Sequence, residues 1–251
     1  MRQLDNKTQK WVVSAWLVTI SIFQLYTAFF GIFQPRLQRG IHLLFLLPMA
    51  FILFPATKKS PKDKATFIDI ILAFLALVPP IYLIVFNEHL NFRFEFVDPV
   101  STIELILGIL NIILLLEALR RAVVPAMAAL VAVFLVYMFV GPYLPGVFYC
   151  KPTTLSKIVE MQYLITDAGI YGAITGVSAT FVALFVIFGA FMESTRTGEF
   201  FTNLACSVAG GSPGGPAKIA VISSGLFGSI SGVAAANVYA TGTFTIPLMK
   251  Q

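Results

Sequence analysis

The chain has 251 residues, of which 58 % are hydrophobic and 12 % charged, with a net charge of +5. A soluble domain carries about a quarter charged residues, so the composition excludes an ordinary soluble globular fold. The small excess of base lies between apolar blocks, which suits loops at an anionic membrane surface and not a nucleic-acid patch. Cys150 and Cys206 are far apart, and His42 and His89 are solitary, so neither a disulfide nor a metal-ligand spacing is indicated.

In chain order, the first apolar block covers residues 11–33 and holds no charge. A helix needs roughly 20 apolar residues to cross a bilayer core, so this block is long enough. It exceeds the apolar core of a cleaved signal peptide and lacks a small-x-small cleavage site, so it reads as a retained span. A second, short span is expected at 41–54, with Gln38 to Gly40 available to lengthen it. The third, 67–86, carries Pro79-Pro80 near its centre, which removes two backbone donors and predicts a kink whose freed carbonyls a neighbour must satisfy. The fourth, 102–118, carries Glu104, Asn111 and Glu117 about two turns apart on one face. Those residues suit either a helix end lying in the interface or a polar contact between bundles, and Glu117 can pair with Arg121. The fifth, 123–144, is again free of charge.

Basic residues alternate between the two sides. Arg2, Lys7 and Lys10, then Lys58, Lys59, Lys62 and Lys64, then Arg120 and Arg121 fall on the side of the N-terminus. Arg36, Arg39, Arg93, Lys151 and Lys157 fall on the other, so an N-terminus in the cytoplasm is favoured. After a polar, partly amphipathic stretch at 153–164, a further span runs over 167–192. Its Gly172 and Gly176 form a G-x-x-x-G pair that reads as helix packing. Asp167 and Glu193 stand at its ends and read as solvated.

The last stretch differs in kind. The apolar run 217–230 is too short to span and ends in Ser231-Gly232; a second short run, 233–249, follows at once. Two half-helices meeting at a glycine- and hydroxyl-rich break describe a hairpin that reaches partway through the bilayer, which survives only when it lines a cavity or is buried in protein. Carbonyls at the end of one half-helix suit a sodium ion, amides at the start of the next suit a carboxylate, and hydroxyls and amides are ligands a hard cation accepts. The same glycines, serines and alanines equally serve close helix packing.

From residue 122 the sequence resembles the large membrane subunit of the tripartite ATP-independent periplasmic (TRAP) transporters. The likeness is closest in GEFF (198–201), GGPAKIAV (214–221), SGLFGSISG (224–232) and ANVYATGTFTIPLMK (236–250). It looks most like the branch that works with TAXI-type solute-binding proteins, in which a small membrane subunit is often fused ahead of the large one. The resemblance implies sodium-driven uptake of organic acids delivered by a periplasmic binding protein, and an elevator movement of the large subunit against the small one. It places Ser229, Ser231, Gly232 and Asn237 among the sodium ligands, and Asn237 and Thr241 beside the substrate. Family members commonly read S-G-S at the tip, whereas Val233 follows Ser231-Gly232 here, which removes one hydroxyl. The sequence also ends before the second inverted repeat that the resemblance implies, so a fragment or half of a split protein is expected.

The expectation is therefore an all-α integral membrane protein, a polytopic helical bundle with a re-entrant hairpin at about 216–250. Residues 1–121 form a four-span scaffold region and residues 122–251 the start of the transport subunit. Its expected partners are a TAXI-type binding protein, an organic acid and the lipid bilayer of the inner membrane, with sodium as coupling ion and no cofactor. The alternative is a non-transporting membrane scaffold, which has no need of two non-spanning helices. An enzyme would want clustered Ser/His, paired Asp or metal ligands within the spans, and the sequence offers none.

Overall fold

The computed structural model describes residues 2, 7–57, 60–61, 63–195, 197–231, 237–238, 241–242, 245–247 and 249. Among these residues every regular element is helical and no strand occurs. Six helices are long and apolar enough to cross a membrane: Lys7–Phe30, Pro35–Leu53, Phe67–Val85, Thr102–Ala122, Pro125–Tyr143 and Ala173–Phe191. The protein is thus an all-α, multi-pass membrane protein. It divides into two compact units, Met1–Gly176 and Val177–Gln251.

In the first unit, α1 (Lys7–Phe30) ends three residues before the apolar block does. The cause is Gly31, whose φ of 108° lies in a region open to glycine and whose amide caps the Thr27 carbonyl at 3.1 Å. By contrast, α2 (Pro35–Leu53) starts six residues before its expected apolar run, with Pro35 in the first turn. Its polar start is helical and buried because partners await it. Arg36 donates to the Leu164 carbonyl at 3.2 Å and to Asn91 Oδ1 at 2.6 Å. Gln34 accepts from Asn87 Nδ2 at 2.8 Å.

The prolines at 79 and 80 do not interrupt α3 (Phe67–Val85), and both are buried. The expected neighbour is present, although it reaches a different carbonyl. Tyr163 Oη donates to the Pro79 carbonyl at 2.8 Å, not to those of Leu75 and Ala76 that lose their intrahelical donors. Burial raises the Tyr163 pKa, so this hydroxyl stays a donor. Tyr163→Phe is expected to destabilise the unit by about 0.5–1.5 kcal/mol, measured as a lowered thermal midpoint in detergent.

A short helix α4 (Asn87–Asn91) leads to α5 (Thr102–Ala122). A reciprocal cap starts α5: Glu104 accepts from Ser101 N at 2.8 Å and Ser101 Oγ accepts from Glu104 N at 3.3 Å. Its buried stripe is Glu104, Gly108, Asn111, Leu114 and Ala118, the spacing of one helical face. Leu114 and Ala118 join Leu47 and Phe51 of α2 and Ala73 and Ala76 of α3 in one apolar core. The expected pairing of Glu117 with Arg121 is present, Oε1 to Nε at 2.6 Å. No residue of α6 (Pro125–Val140) is fully buried; it lies against α5 with residues such as Leu135 and Met138 half-buried and leaves most of its apolar surface outward.

The polar stretch after α6 folds as α7 (Leu155–Val159) running into a π turn, Glu160–Leu164. It lies so close on α5 that a Cβ at Gly108 would press on the Val159 Cγ1 methyl and sit 3.2 Å from Tyr163 Cδ1. The G-x-x-x-G pair does not serve helix packing as expected. A Cβ at Gly176 would lie 2.8 Å from Arg39 Nε, so the glycine makes room for a guanidinium. Arg39 in turn donates to the Thr166 carbonyl and, at 2.9 Å, to that of Tyr171. Asp167 stands 95 % exposed, as its place at a span end led us to expect. The side chain of Glu193 lies outside the described residues.

Helix α8 (Ala173–Val177) leads into a π turn, Ser178–Val182, which precedes α9 (Ala183–Ser194) in the second unit. Then α10 (Thr197–Ala209) and α11 (Gly215–Ser231) pack as a pair through Ala205, Ala209 and Ile219.

Candidate functional site

The candidate site is the segment that follows the α10–α11 turn. That turn, 210–214, is closed by Gly214 at a φ of 74° and by Lys218 Nζ donating to Ser212 Oγ at 3.1 Å. Helix α11 is described over seventeen residues, to Ser231. Further along, on the expected second arm, residues 237–238, 241–242, 245–247 and 249 are helical. The expected break at Ser231-Gly232 falls at the edge of residues 232–236, which lie outside the described residues.

One side chain ties the arms together. Asn237 Nδ2 donates both to the Ser224 carbonyl at 3.1 Å and to Ser224 Oγ at 3.0 Å. Gly228, one turn beyond Ser224, leaves the space this needs, since a Cβ there would come within 2.9 Å of Asn237 Nδ2. The other end of the same amide, Asn237 Oδ1, is buried and has no hydrogen-bond partner among the described residues. A buried carbonyl oxygen left bare costs about 1–3 kcal/mol, so such an atom asks for a ligand, an ion or a water.

A ladder of hydroxyls continues the return arm. Thr241 Oγ1 donates to the Asn237 carbonyl at 2.7 Å and Thr245 Oγ1 to the Thr241 carbonyl at 2.8 Å. Both threonines are buried, and their back-bonding leaves their own oxygens as acceptors. Ser229 is exposed and donates to the Leu226 carbonyl at 2.8 Å. Ser231 is the last residue of α11, and its side chain lies outside the described residues, as does Gly232 altogether.

The structure therefore brings Asn237 and Thr241 together and holds Ser229 on the facing arm's surface. Sequence reasoning missed Ser224 and Gly228 as the seat of Asn237. The signal was available, because serine and glycine four residues apart share one face of α11. Residues 219–249 carry no charged side chain. Whatever binds there meets dipoles: carbonyls at a helix end, an amide oxygen and hydroxyls. That set accepts a small monovalent cation without the desolvation cost of burying a carboxylate. Among the described residues no group of three or more His, Cys, Asp or Glu is placed to hold a metal ion.

Residues 110–251 match the family model described as tripartite ATP-independent periplasmic transporter, DctM component. No curated protein and no solved structure gives a match.

Proposed function

This chain belongs to the tripartite ATP-independent periplasmic transporter family through its DctM component, and we propose that it takes part in sodium-coupled uptake of organic acids. It is a multi-pass membrane component of a secondary transporter, and the family implies a periplasmic binding protein as partner. In our reading that partner is of the TAXI type, the N-terminus is cytoplasmic, and the bilayer is the inner membrane. Residues 1–121 serve as the scaffold against which the transport part, from 122 onward, moves as an elevator.

The observation that carries the proposal is the buried Oδ1 of Asn237, without a hydrogen-bond partner among the described residues, in a stretch, 219–249, that holds no charged side chain. A site of neutral oxygens binds a cation through partial charges and so releases it at modest cost, which a coupling ion must permit. In this reading Ser229, Ser231, Gly232 and Asn237 supply sodium ligands, and Asn237 and Thr241 lie beside the acid. Each sodium ion moving down a potential of about 100 mV supplies roughly 2.3 kcal/mol to the uphill movement of substrate.

The test is uptake of a radiolabelled organic acid by proteoliposomes that hold the complete transporter and its binding protein. Asn237→Ala is expected to weaken sodium binding by about 1–3 kcal/mol, raising half-saturating sodium roughly fivefold to 150-fold. An unchanged sodium dependence in a folded variant removes Asn237 from the ion site. Uptake that persists when choline replaces sodium and follows an imposed proton gradient removes sodium coupling itself.

A further inference from the structure

The loop between α4 and α5 is built in a way that packing within the first unit does not explain. It turns three phenylalanines and a valine outward: Phe92 is 85 % exposed, Phe94 72 %, Phe96 55 % and Val97 78 %. Exposure of this kind is common in a slack loop, but this loop is pinned at four points. Arg93 Nη2 donates to the Asp98 carbonyl at 2.8 Å, and Asp98 Oδ2 accepts from Phe94 N at 2.8 Å. Glu160 Oε1, on the π turn, accepts from Phe96 N at 2.8 Å and pairs with Arg93 Nη2 at 3.0 Å. The Arg93 and Glu160 side chains are both buried.

Phe96 also holds a φ of 60°, the only positive value at a non-glycine residue among the described residues. For a bulky side chain that conformation costs about 1 kcal/mol or more. It is held by the Phe96 N–H donating to Glu160 Oε1, which in turn pairs with Arg93. The inner side of the loop is the opposite in character. A cavity of about 340 Å³ lies there, lined by Arg93, Asp98, Ser101 and Glu104 together with Tyr82, His89, Pro99 and one edge of Phe92. Arg93 and Asp98 thus gather on the cavity side, while Phe94, Phe96 and Val97 line no part of it.

Its place in the fold decides what covers the apolar side. Span α3 ends at Val85 and span α5 begins at Thr102, so the loop sits where two helices leave the hydrocarbon. Its rings continue an outward apolar surface that includes Val85, 68 % exposed, and Ile103, 62 % exposed. The contacts of Arg36 with Asn87 and Asn91 put the start of α2 at this same end, and Phe29, Phe30 and Ile32 nearby are exposed as well. The opposite end carries the lysine-rich segment 57–64, and its exposed rings among the described residues, Trp11 and Phe67, stand singly at the starts of α1 and α3. Aromatic side chains gather where acyl chains meet headgroups.

We propose that the 92–97 loop is an interfacial lipid anchor, with Phe92, Phe94 and Phe96 seated in the boundary between headgroups and acyl chains and the polar cavity behind them facing the headgroup layer. The anchor fixes the height of the first unit in the bilayer, and Glu160 ties that height to the π turn.

The experiment uses the full chain with Cys150→Ser and Cys206→Ser, reconstituted in phospholipid liposomes. An NBD fluorophore is attached at Phe94→Cys and, for comparison, at Lys64→Cys. The expected result is a blue-shifted emission at 94, with several-fold less quenching by aqueous iodide than at 64. Nitroxide lipids labelled near the headgroup should quench it more than lipids labelled at the chain end. Iodide quenching at 94 equal to that at 64 overturns the proposal. So does protection at 94 that arises only when a soluble protein is added, which would make the loop a protein-docking surface. Phe92→Cys provides the same readout should the variant at 94 fail to fold.

Discussion

Replacing Asp69 by asparagine is expected to destabilise the first unit by about 3–5 kcal/mol, the range for removing one partner of a buried ion pair. The carboxylate bridges two guanidinium groups, Arg2 Nη2 and Arg121 Nη1, each at 2.6 Å. All three side chains are 2 % exposed or less. Asparagine keeps the shape and one acceptor but leaves two positive charges facing each other without water. Glu117, which also grips Arg121 and Arg120, has a side chain 28 % exposed. Glu117→Gln is therefore expected to cost only about 1 kcal/mol, because solvent replaces part of what is lost. Chemical or thermal unfolding of the two variants in the same detergent compares them. Equal losses would show that Asp69 is not the member that holds the cluster.

The second large effect is expected at Gly169, where alanine meets two independent obstacles. The residue has a φ of 62°, which alanine adopts at a cost of about 1–3 kcal/mol. Its Cβ would also press on the Met161 carbonyl oxygen and lie 2.5 Å from Gln162 Cα. Those are backbone atoms of the π turn, held in place by Ile170 N donating to the Gln162 carbonyl at 2.9 Å. Moving them adds about 1–3 kcal/mol of overpacking. Gly146 is the matched comparison, with a φ of 67° and nothing within 4 Å of its added Cβ. Gly146→Ala should lower the thermal midpoint clearly less than Gly169→Ala. If the two fall equally, the crowding at 169 carries no energy and only the backbone conformation matters.

Much of the architecture was legible because a bilayer imposes coarse rules. Uncharged blocks of about twenty residues became spans. What escaped were features set by partners far away in sequence. The start of α2 looks like a loop until Leu164 and Asn91 are seen to accept from Arg36. Gly176 looks like a packing glycine until Arg39 is found beside it. The basic residues behave in the same way. Arg2, Arg120 and Arg121 entered the orientation count as loop charges, yet each is paired with Asp69 or Glu117 in the folded chain. In the hairpin, the family resemblance pointed to Asn237 and Thr241, but which end of the amide is tied to Ser224 and which lacks a partner among the described residues is a matter of geometry alone.

The family match begins at residue 110, inside α5, while the first compact unit extends to Gly176. Residues 155–171 accordingly pack with α3 and α5, through Val159, Tyr163 and Tyr171 against Leu83 and its neighbours. These contacts tie residues on both sides of the start of the match into one packed unit. Because the tie runs through Tyr163, Arg36 and Arg39, it combines hydrogen bonds to carbonyls with apolar burial, and neither depends on a flexible linker.

The cluster around Asp69 has a consequence in time as well as in space. Its members are translated in the order Arg2, Asp69, Glu117, Arg120, Arg121, and the last follows the first by 119 residues. At about 5–20 residues per second, Arg2 waits on the order of ten seconds for the completed set. Until Asp69 is delivered it is an unpaired cation available to the membrane surface, and by the positive-inside rule such a charge bears on the orientation of the first span. Once Asp69 pairs with it, and Arg121 later closes the cluster, α1 can no longer be re-threaded without breaking that pair. One residue thus acts first as an address label and afterwards as a latch.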